Sequence, residues 1–401
     1  MSIIKSSFAK FTLFIILTFL YAETIYVDGS SSCSNPIGSL ECPYITIQDA
    51  MDNVQPGDNV VIRAGNYFEH VKFSGIATAE LPIIVDVYPG EQVVINGTIP
   101  ISQDWESYNN NGHTIYKTQL DTALIAEQIG ESFKTVYQLF INDRMMIPSQ
   151  IINYANPTNP TTGTPDFPEP GTVWEGKPDE NNQTKLLIDV DSPEEWSYNG
   201  STRELYIYTS SGLSPQEDNI RIRVLDRVLT SGTLTAYPNG IPYGIDGAEN
   251  VIFRGIEFYA GAVGLFGTHR FTLEDCTFLF STDNGGFNQN TPDLLYPSSM
   301  NQFLSGSRAS VINCVFKYIN DYPLNINDCD SSLVENCLFE YNDWTNGTHQ
   351  WLWTGYSMPC TVRYVTIQNS MSPGLFTGNG SLVEYCMMRN LYEGPTYDGE
   401  D

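Results

Sequence analysis

The sequence predicts an all-β chain: a right-handed parallel β-helix in which single strands stack coil on coil, with a β-rich insertion. Two observations carry this expectation. A short apolar pattern recurs through residues 252–388 at steps that return to about one β-helix coil. Earlier, strand-sized apolar runs in residues 24–98 are separated by Gly or Pro. The expected organisation is a leader at 1–22, a cap and first coils at 23–98, an insertion at 99–235, and further coils at 236–401.

The N-terminus reads as a secretory signal peptide. Lys5 and Lys10 flank a polar start, Phe11–Tyr21 is almost wholly apolar, and Ala22 is a small residue at the cleavage position. The apolar run is short for a membrane span, and no second such run follows. The expected product is therefore secreted, without a transmembrane segment, and monomeric. Removing residues 1–22 takes away two lysines and no acids, moving the formal charge from −28 to −30. Such an excess argues against a nucleic-acid partner, whose phosphates would be repelled. It suits a solvated extracellular surface able to collect calcium. With 41% hydrophobic and 16% charged residues, the chain can build a large core.

In the first segment, Thr24–Asp28 reads as a strand and Tyr44–Val54 as a short helix with Ile45, Ile47, Ala50, Met51 and Val54 as its apolar set. Pro56-Gly57-Asp58 stops that helix and turns the chain into the strand Asn59–Arg63, and Ile83–Val87 and Val93–Ile95 follow. Cys33 and Cys42 lie in a Ser/Gly/Pro-rich loop, where an exported chain forms a local disulfide. No CxxC pair has zinc-ligand spacing. Sequons stand at Asn96, Asn182, Asn199, Asn346 and Asn379, acceptors if the host glycosylates.

Residues 99–235 break the rhythm. Ile115–Leu120, Gln138–Asp143, Lys185–Asp189, Glu204–Tyr208 and Ile220–Val224 read as strands, in part antiparallel, around a Pro/Thr/Gly-rich loop from Asn156 to Gly171. A sheet beside a cleft and a separate structural sandwich are both open readings.

Residues 245–401 carry the repeat. Its rows begin at Ile252, Leu273, Val311, Val334, Val362 and Val383, giving steps of 21, 38, 23, 28 and 21 residues. The longer steps imply loops added to particular coils. Alternation along each row turns Val/Leu, Cys/Val and Phe/Ile/Met inward. Cys276, Cys314, Cys337 and Cys386 then form a ladder, read as packed thiols, with inter-coil disulfides as the alternative. Asn313 and Asn336 stand at turns, where a side-chain amide completes backbone hydrogen bonds. The last residues run into a further coil with no visible cap, so the sequence predicts missing C-terminal coils.

The string Tyr26-Val27-Asp28, Pro43 to Ala50, Gln55-Pro56-Gly57-Asp58 and Arg63-Ala64-Gly65-Asn66-Tyr67 resembles the N-terminal cap and first coils of the pectate-lyase-like superfamily. Tyr137 through Pro148 loosely resembles a segment of carbohydrate-active β-helix enzymes in which an inserted sheet sits beside the cleft. The resemblance implies a parallel β-helix and a polysaccharide or glycan partner, shared by lyases, hydrolases and proteins without activity.

Three chemistries stay open. Hydrolysis of a glycosidic bond needs two carboxyl groups across the scissile bond; Asp283 with Asp321 or Asp343 supplies them if their coils stack in register, with His349 tuning the acid. Trp344, Trp351 and Trp353 offer flat faces for sugar rings, with Arg270 as a further substrate contact. β-Elimination instead needs a base and a cation to neutralise a uronate carboxylate. Arg254, Arg270, Arg308, Lys317, Arg363 and Arg389 are the cationic side chains available in the repeat section, and calcium held near Asp283, Asp321, Asp328 or Asp330 is the other neutraliser. No cofactor is required for hydrolysis. The third reading is glycan adhesion without catalysis, which the same fold supports. Hydrolysis stands slightly ahead.

Overall fold

The computed structural model describes residues 22–102, 104–130, 132–133, 135–148, 190–236, 242–281, 303–319, 323–342, 352–353, 359–370 and 375–391. Residues 1–21 of the leader expected at 1–22, the strand expected at Lys185–Asp189 and the C-terminal residues 392–401 lie outside them.

The chain is a parallel β-solenoid of three sheets. The first runs through Thr24–Val27, Asn59–Ile62, Ile83–Val87, Val251–Arg254, Thr272–Glu274, Ser310–Ile312, Ser332–Glu335, Cys360–Arg363 and Leu382–Glu384. The second stacks Gly65–Tyr67, Val93–Asn96, Ile256–Tyr259, Thr277–Leu279, Val315–Lys317, Leu338–Glu340, Thr366–Ser370 and Met387–Leu391. The third stacks Val71–Phe73, Arg227–Ser231, Ala262–His269, Phe303–Ser307, Leu324–Asp330, Leu352–Trp353 and Leu375–Phe376. From Asn59–Ile62 to Leu375–Phe376 each coil visits the three sheets in turn, so each of these strands pairs in parallel with its counterpart one coil away.

Alternation explains the core. Phe253, Leu273, Val311, Val334 and Val362 share one register row of the first sheet and are buried. In the second sheet Phe258, Phe278, Phe316 and Phe339 stack one above another, the last two ring pairs at 4.6 Å and 3°. The register corrects one detail of the sequence alignment: Phe253, not Ile252, stands under Leu273, so the first step is 20 residues (273 less 253). Both residues are apolar, and only the burial of Phe253 against half-exposed Ile252 separates them.

Cys276, Cys314 and Cys337 are unpaired and buried, and Cys386 is unpaired and half-buried, as the thiol reading expects. Each Sγ donates to the carbonyl two residues before it, at 3.3–3.4 Å. Burial, together with the neighbouring thiols, pushes the Cys314 thiol well above its ordinary range. Cys33 and Cys42 form the expected disulfide. The cap helix spans Ile47–Asn53; Thr46 caps it by accepting from the Asp49 N–H.

Between the second-sheet strand Val93–Asn96 and the third-sheet strand Arg227–Ser231 the chain leaves the solenoid. One sheet there joins Thr98–Ile101, Ile220–Arg223, Gln138–Ile141 and Arg144–Met145; the other joins Glu106–Asn110, His113–Gln119, Glu204–Ile207, Glu195–Asn199 and Ile147–Pro148. Pairing is antiparallel except between the last two strands. The turn Asn142-Asp143 has positive φ at both residues, which suits a two-residue hairpin. A helix at Thr122–Ile129, capped by Asp121 and closed by Gly130 at φ 70°, was not expected from the sequence. Arg227–Ser231 pairs with Val71–Phe73 and with Ala262–Leu265, so the solenoid resumes at Arg227, ahead of residue 235.

Arg223 fastens the two parts together. Its side chain is fully buried, with Nε donating to Leu225 O at 3.0 Å, Nη2 to Asp226 O at 2.8 Å and Nη1 to Gln138 Oε1 at 3.3 Å. Phe140 of the insertion packs on Tyr259 and Phe280 of the solenoid, at 5.4 and 5.5 Å.

Candidate functional site

The three corners of the solenoid differ, and the difference locates the site. From the first sheet to the second, each coil from Val251–Arg254 onward turns on one residue of positive φ: Gly255, Asp275, Asn313, Asn336, Tyr364 and Tyr385. Asn313 donates to Asp275 Oδ1 at 3.0 Å and Asn336 to Asn313 Oδ1 at 2.8 Å, a ladder between side chains. The turn's own N–H groups go instead to carbonyls of the next coil, Asn313 to Glu335 O at 2.9 Å and Asn336 to Arg363 O at 3.1 Å, which corrects the expectation that the amides complete the backbone bonds. From the third sheet to the first, Arg270, Arg308 and Ser331 serve likewise. Turns on one residue leave little room for a cleft. The third-to-first corner departs from this between Arg227–Ser231 and Val251–Arg254, where the hairpin Thr233–Ala236 with Pro242–Ile245 is inserted.

The corner from the second sheet to the third is the variable one. Its connections include the insertion and residues 280–302, 318–323, 341–351 and 371–374. A solenoid tolerates inserted residues only where they leave its stacked strands undisturbed, and loops grouped on one edge of a rigid frame are where such folds place chemistry.

The solenoid wall beside these connections is ordered. From Ile256–Tyr259 onward, a residue of positive φ stands at or just past the end of each second-sheet strand: Ala260, Phe280, Tyr318, Tyr341, Asn369 and Asn390. Phe280 stacks on Tyr318 at 5.1 Å and Tyr318 on Tyr341 at 5.5 Å, with Tyr259 edge-on to Phe280 at 5.4 Å. The column continues as amides, Asn390 donating to Asn369 Oδ1 at 2.8 Å. Beside it runs a polar row in register, Lys317, Glu340, Gln368 and Arg389. Lys317 Nζ lies 2.7 Å from Glu340 Oε2, Gln368 Nε2 donates to Glu340 Oε1, and Arg389 Nε donates to Gln368 Oε1 at 2.6 Å. Burial pushes the Glu340 carboxyl upward, but the Lys317 ammonium and the Gln368 amide outweigh it and hold the group below the usual range. Glu340 is thus an ionised carboxylate, an acceptor rather than a proton donor.

Inside the same corner, buried Asn342 closes the turn. It accepts from the Ile319 N–H at 3.0 Å and donates to Phe316 O at 2.9 Å, and its own N–H donates to Ser370 Oγ at 3.0 Å. This fixes where the connections depart.

Asp283, Asp321, Asp343, Trp344, His349 and Trp351 lie outside the described residues. In chain order they fall in three of the corner connections, 280–302, 318–323 and 341–351, on consecutive coils. Trp353 belongs to the third sheet, in register with Asn325 and Phe376. Arg270 is exposed and sits at the opposite end of the third-sheet strands, its N–H donating to Ser307 O at 2.9 Å, so it is not gathered with the others. Asp328 is the extra residue where the register between Phe303–Ser307 and Leu324–Asp330 shifts, and Asp330 stands opposite Ser307 towards that far corner. Among the described residues no group of three acidic, His or Cys side chains is placed to hold a metal.

Sequence reading passed over the aromatic column and Glu340. Their signal was present: Phe278-Leu279-Phe280, Phe316-Lys317-Tyr318 and Phe339-Glu340-Tyr341 repeat a core aromatic, a surface residue and a second aromatic.

No family model matches the chain. Over 80 residues it is 32% identical to pectate lyase PEL9 of Emericella nidulans, a match that spans 19% of each protein. Among solved structures, a glycoside hydrolase superposes with a TM-score of 0.58 at 11% identity, covering 93% of this chain and 84% of that one. A complex of XylC with xylose gives 0.45 at 15% identity, over 91% and 66% of the two chains. The class is therefore defined by fold alone: a parallel β-solenoid, matched at low identity by a glycoside hydrolase structure.

Proposed function

We propose that this is a secreted, carbohydrate-active protein that cleaves polysaccharide glycosidic bonds by hydrolysis at the corner between the second and third sheets. One observation carries the reading. The two inserted sheets and the connections 280–302, 318–323 and 341–351 leave the solenoid at that corner, beside a column of stacked aromatic rings and a polar row of Lys317, Glu340, Gln368 and Arg389. Aromatic faces accept the apolar face of a sugar ring, and planar amides and carboxylates fix its hydroxyls. Glu340, buried and held ionised between Lys317 and Gln368, fixes the polar row beside the rings rather than meeting the sugar itself. The acid and base come from Asp283, Asp321 and Asp343, which the topology assigns to connections of successive coils. The tryptophans Trp344, Trp351 and Trp353 extend the platform, and His349 tunes the acid.

A second reading, β-elimination on a uronate chain, is favoured by two things. Lys317 and Arg389 stand in the polar row, and the local sequence resemblance is to a pectate lyase. Calcium near the same aspartates would then neutralise the uronate.

The test is the full-length secreted protein on neutral and uronic polysaccharides, with and without calcium, following reducing ends together with absorbance near about 235 nm, where unsaturated uronates absorb. Reducing ends without absorbance establish hydrolysis. A parallel rise of both, dependent on calcium, establishes elimination. Silence in both with retained glycan binding leaves a binding protein and overturns the proposal.

A further inference from the structure

The geometry points to a second glycan site on the insertion, apart from the corner of the solenoid, with neutral oligosaccharide as its ligand. The outer face of the five-stranded sheet carries a cavity of about 510 Å³ lined by Ser102, Asp104, Glu106, Lys117, Gln119 and Gln216, among others. Ser102 and Gln216 also line a smaller cavity of about 230 Å³, which adds Trp105, Pro215 and Asn219. The two share walls and form one groove.

Its chemistry is that of a sugar groove. The sheet contributes Glu106, Lys117 and Gln119 from two neighbouring strands, Glu106 directly opposite Lys117. A single 3-10 turn at Pro215–Glu217 brings Gln216 to the rim, where its Oε1 accepts from the Trp105 N–H at 3.2 Å. Trp105 is half-buried against the insertion core and lines the smaller cavity, so one ring is both anchored and presented. An anchored indole beside several amide and carboxylate groups matches the usual composition of a carbohydrate pocket.

Charge selects the sugar. Lys117 Nζ sits 2.8 Å from Glu204 Oε1, and Tyr206 and Thr202 hydroxyls donate to Glu204 Oε2 at 2.7 and 2.8 Å. The groove's ammonium is thereby neutralised, leaving Asp104, Glu106 and Asp218 as net negative charge. A uronate chain would meet like charge, whereas a neutral chain can use these carboxylates as hydrogen-bond acceptors. The inference takes from the proposed function only the class of ligand, a glycan.

The experiment uses the full-length protein in calorimetry with neutral oligosaccharides (xylo-, gluco-, galacto- and manno-series) and with oligogalacturonate. Binding of at least one neutral series, weakened about tenfold or more by Gln119→Ala and by Gln216→Ala with unchanged thermal midpoints, is expected. Glu106→Lys should add affinity for oligogalacturonate. Neutral binding that both glutamine variants leave intact, or tighter binding of oligogalacturonate by the unaltered protein, overturns the inference. Cleavage by the unaltered protein is read separately, so loss of the corner reading does not imitate loss of this one.

Discussion

Phe316 lies in the middle of the inner aromatic stack, fully buried, with Phe278 and Phe339 each 4.6 Å away and nearly parallel. Replacing it by Ala removes a ring from a solenoid whose coils contact only their neighbours, so the gap cannot be filled from elsewhere. Truncating a buried Phe costs about 3–5 kcal/mol. Aromatic contacts contribute about 0.5–1.5 kcal/mol each beyond area, and two are lost here, which places the expected cost in the upper part of that range, about 4–5 kcal/mol. Tyr364→Ala is the internal comparison. It also removes a stacked ring, 5.2 Å from Tyr385, but its side chain is 51% exposed. A cost below about 1 kcal/mol is expected there. Urea unfolding followed by circular dichroism and by tryptophan fluorescence measures both, with coincidence of the probes establishing a single transition. A Phe316→Ala loss below about 2 kcal/mol, or one equal to that of Tyr364→Ala, would refute the claim that the inner stack supports the coils.

Arg223→Met removes the buried guanidinium and leaves Leu225 O, Asp226 O and Gln138 Oε1 without that donor. A loss of about 3 kcal/mol in urea unfolding and faster proteolysis at the insertion boundary are expected. Glu204, bonded to Lys117 and Tyr206, is held at about 2 against an ordinary 4.5. Its contribution is complete above about pH 4.5 and is lost as pH falls towards 2, so Glu204→Gln should lower the thermal midpoint most above about pH 4.5 and converge on the unaltered protein towards pH 2, flattening the acid limb. Tyr318→Ala and Tyr341→Ala, which remove half-buried rings from the corner column, should each lower kcat/KM on polysaccharide about tenfold or more. Unchanged kinetics in both would remove the platform from the account.

Much of the fold was legible because a solenoid writes its core into the chain once per coil. Leu273, Val311, Val334 and Val362, and the Cys ladder beside them, are visible as a repeat before any geometry is known. The exceptions have physical causes. Ile252 and Phe253 are both apolar, and Gly255 replaces the Asp or Asn that marks the turn in the next coils, so the first row was placed one residue early. The Thr122–Ile129 helix is two turns long and buries only Ile125, too little for a periodic signal. The resumption at Arg227 follows a strand, Ile220–Arg223, that reads like the coil strands around it. At the site, the sequence drew attention to Asp, Asn and Trp in long connections. The structure adds what those connections depart from: Lys317, Glu340 and Gln368 matter through stacking across coils, which no local window displays. Arg270 looked equivalent to the other candidates along the chain, and only the path through the third sheet separates it from them.

The central claim is that chemistry sits at the corner between the second and third sheets. Its most direct test is kcat on the best polysaccharide substrate for Asp321→Asn beside Arg308→Asn, an exposed residue at the corner between the third sheet and the first. The account predicts a fall of about 100-fold or more for Asp321→Asn and wild-type turnover for Arg308→Asn, with both proteins folded by circular dichroism. The reverse pattern would place the chemistry on the other side of the solenoid and contradict the account.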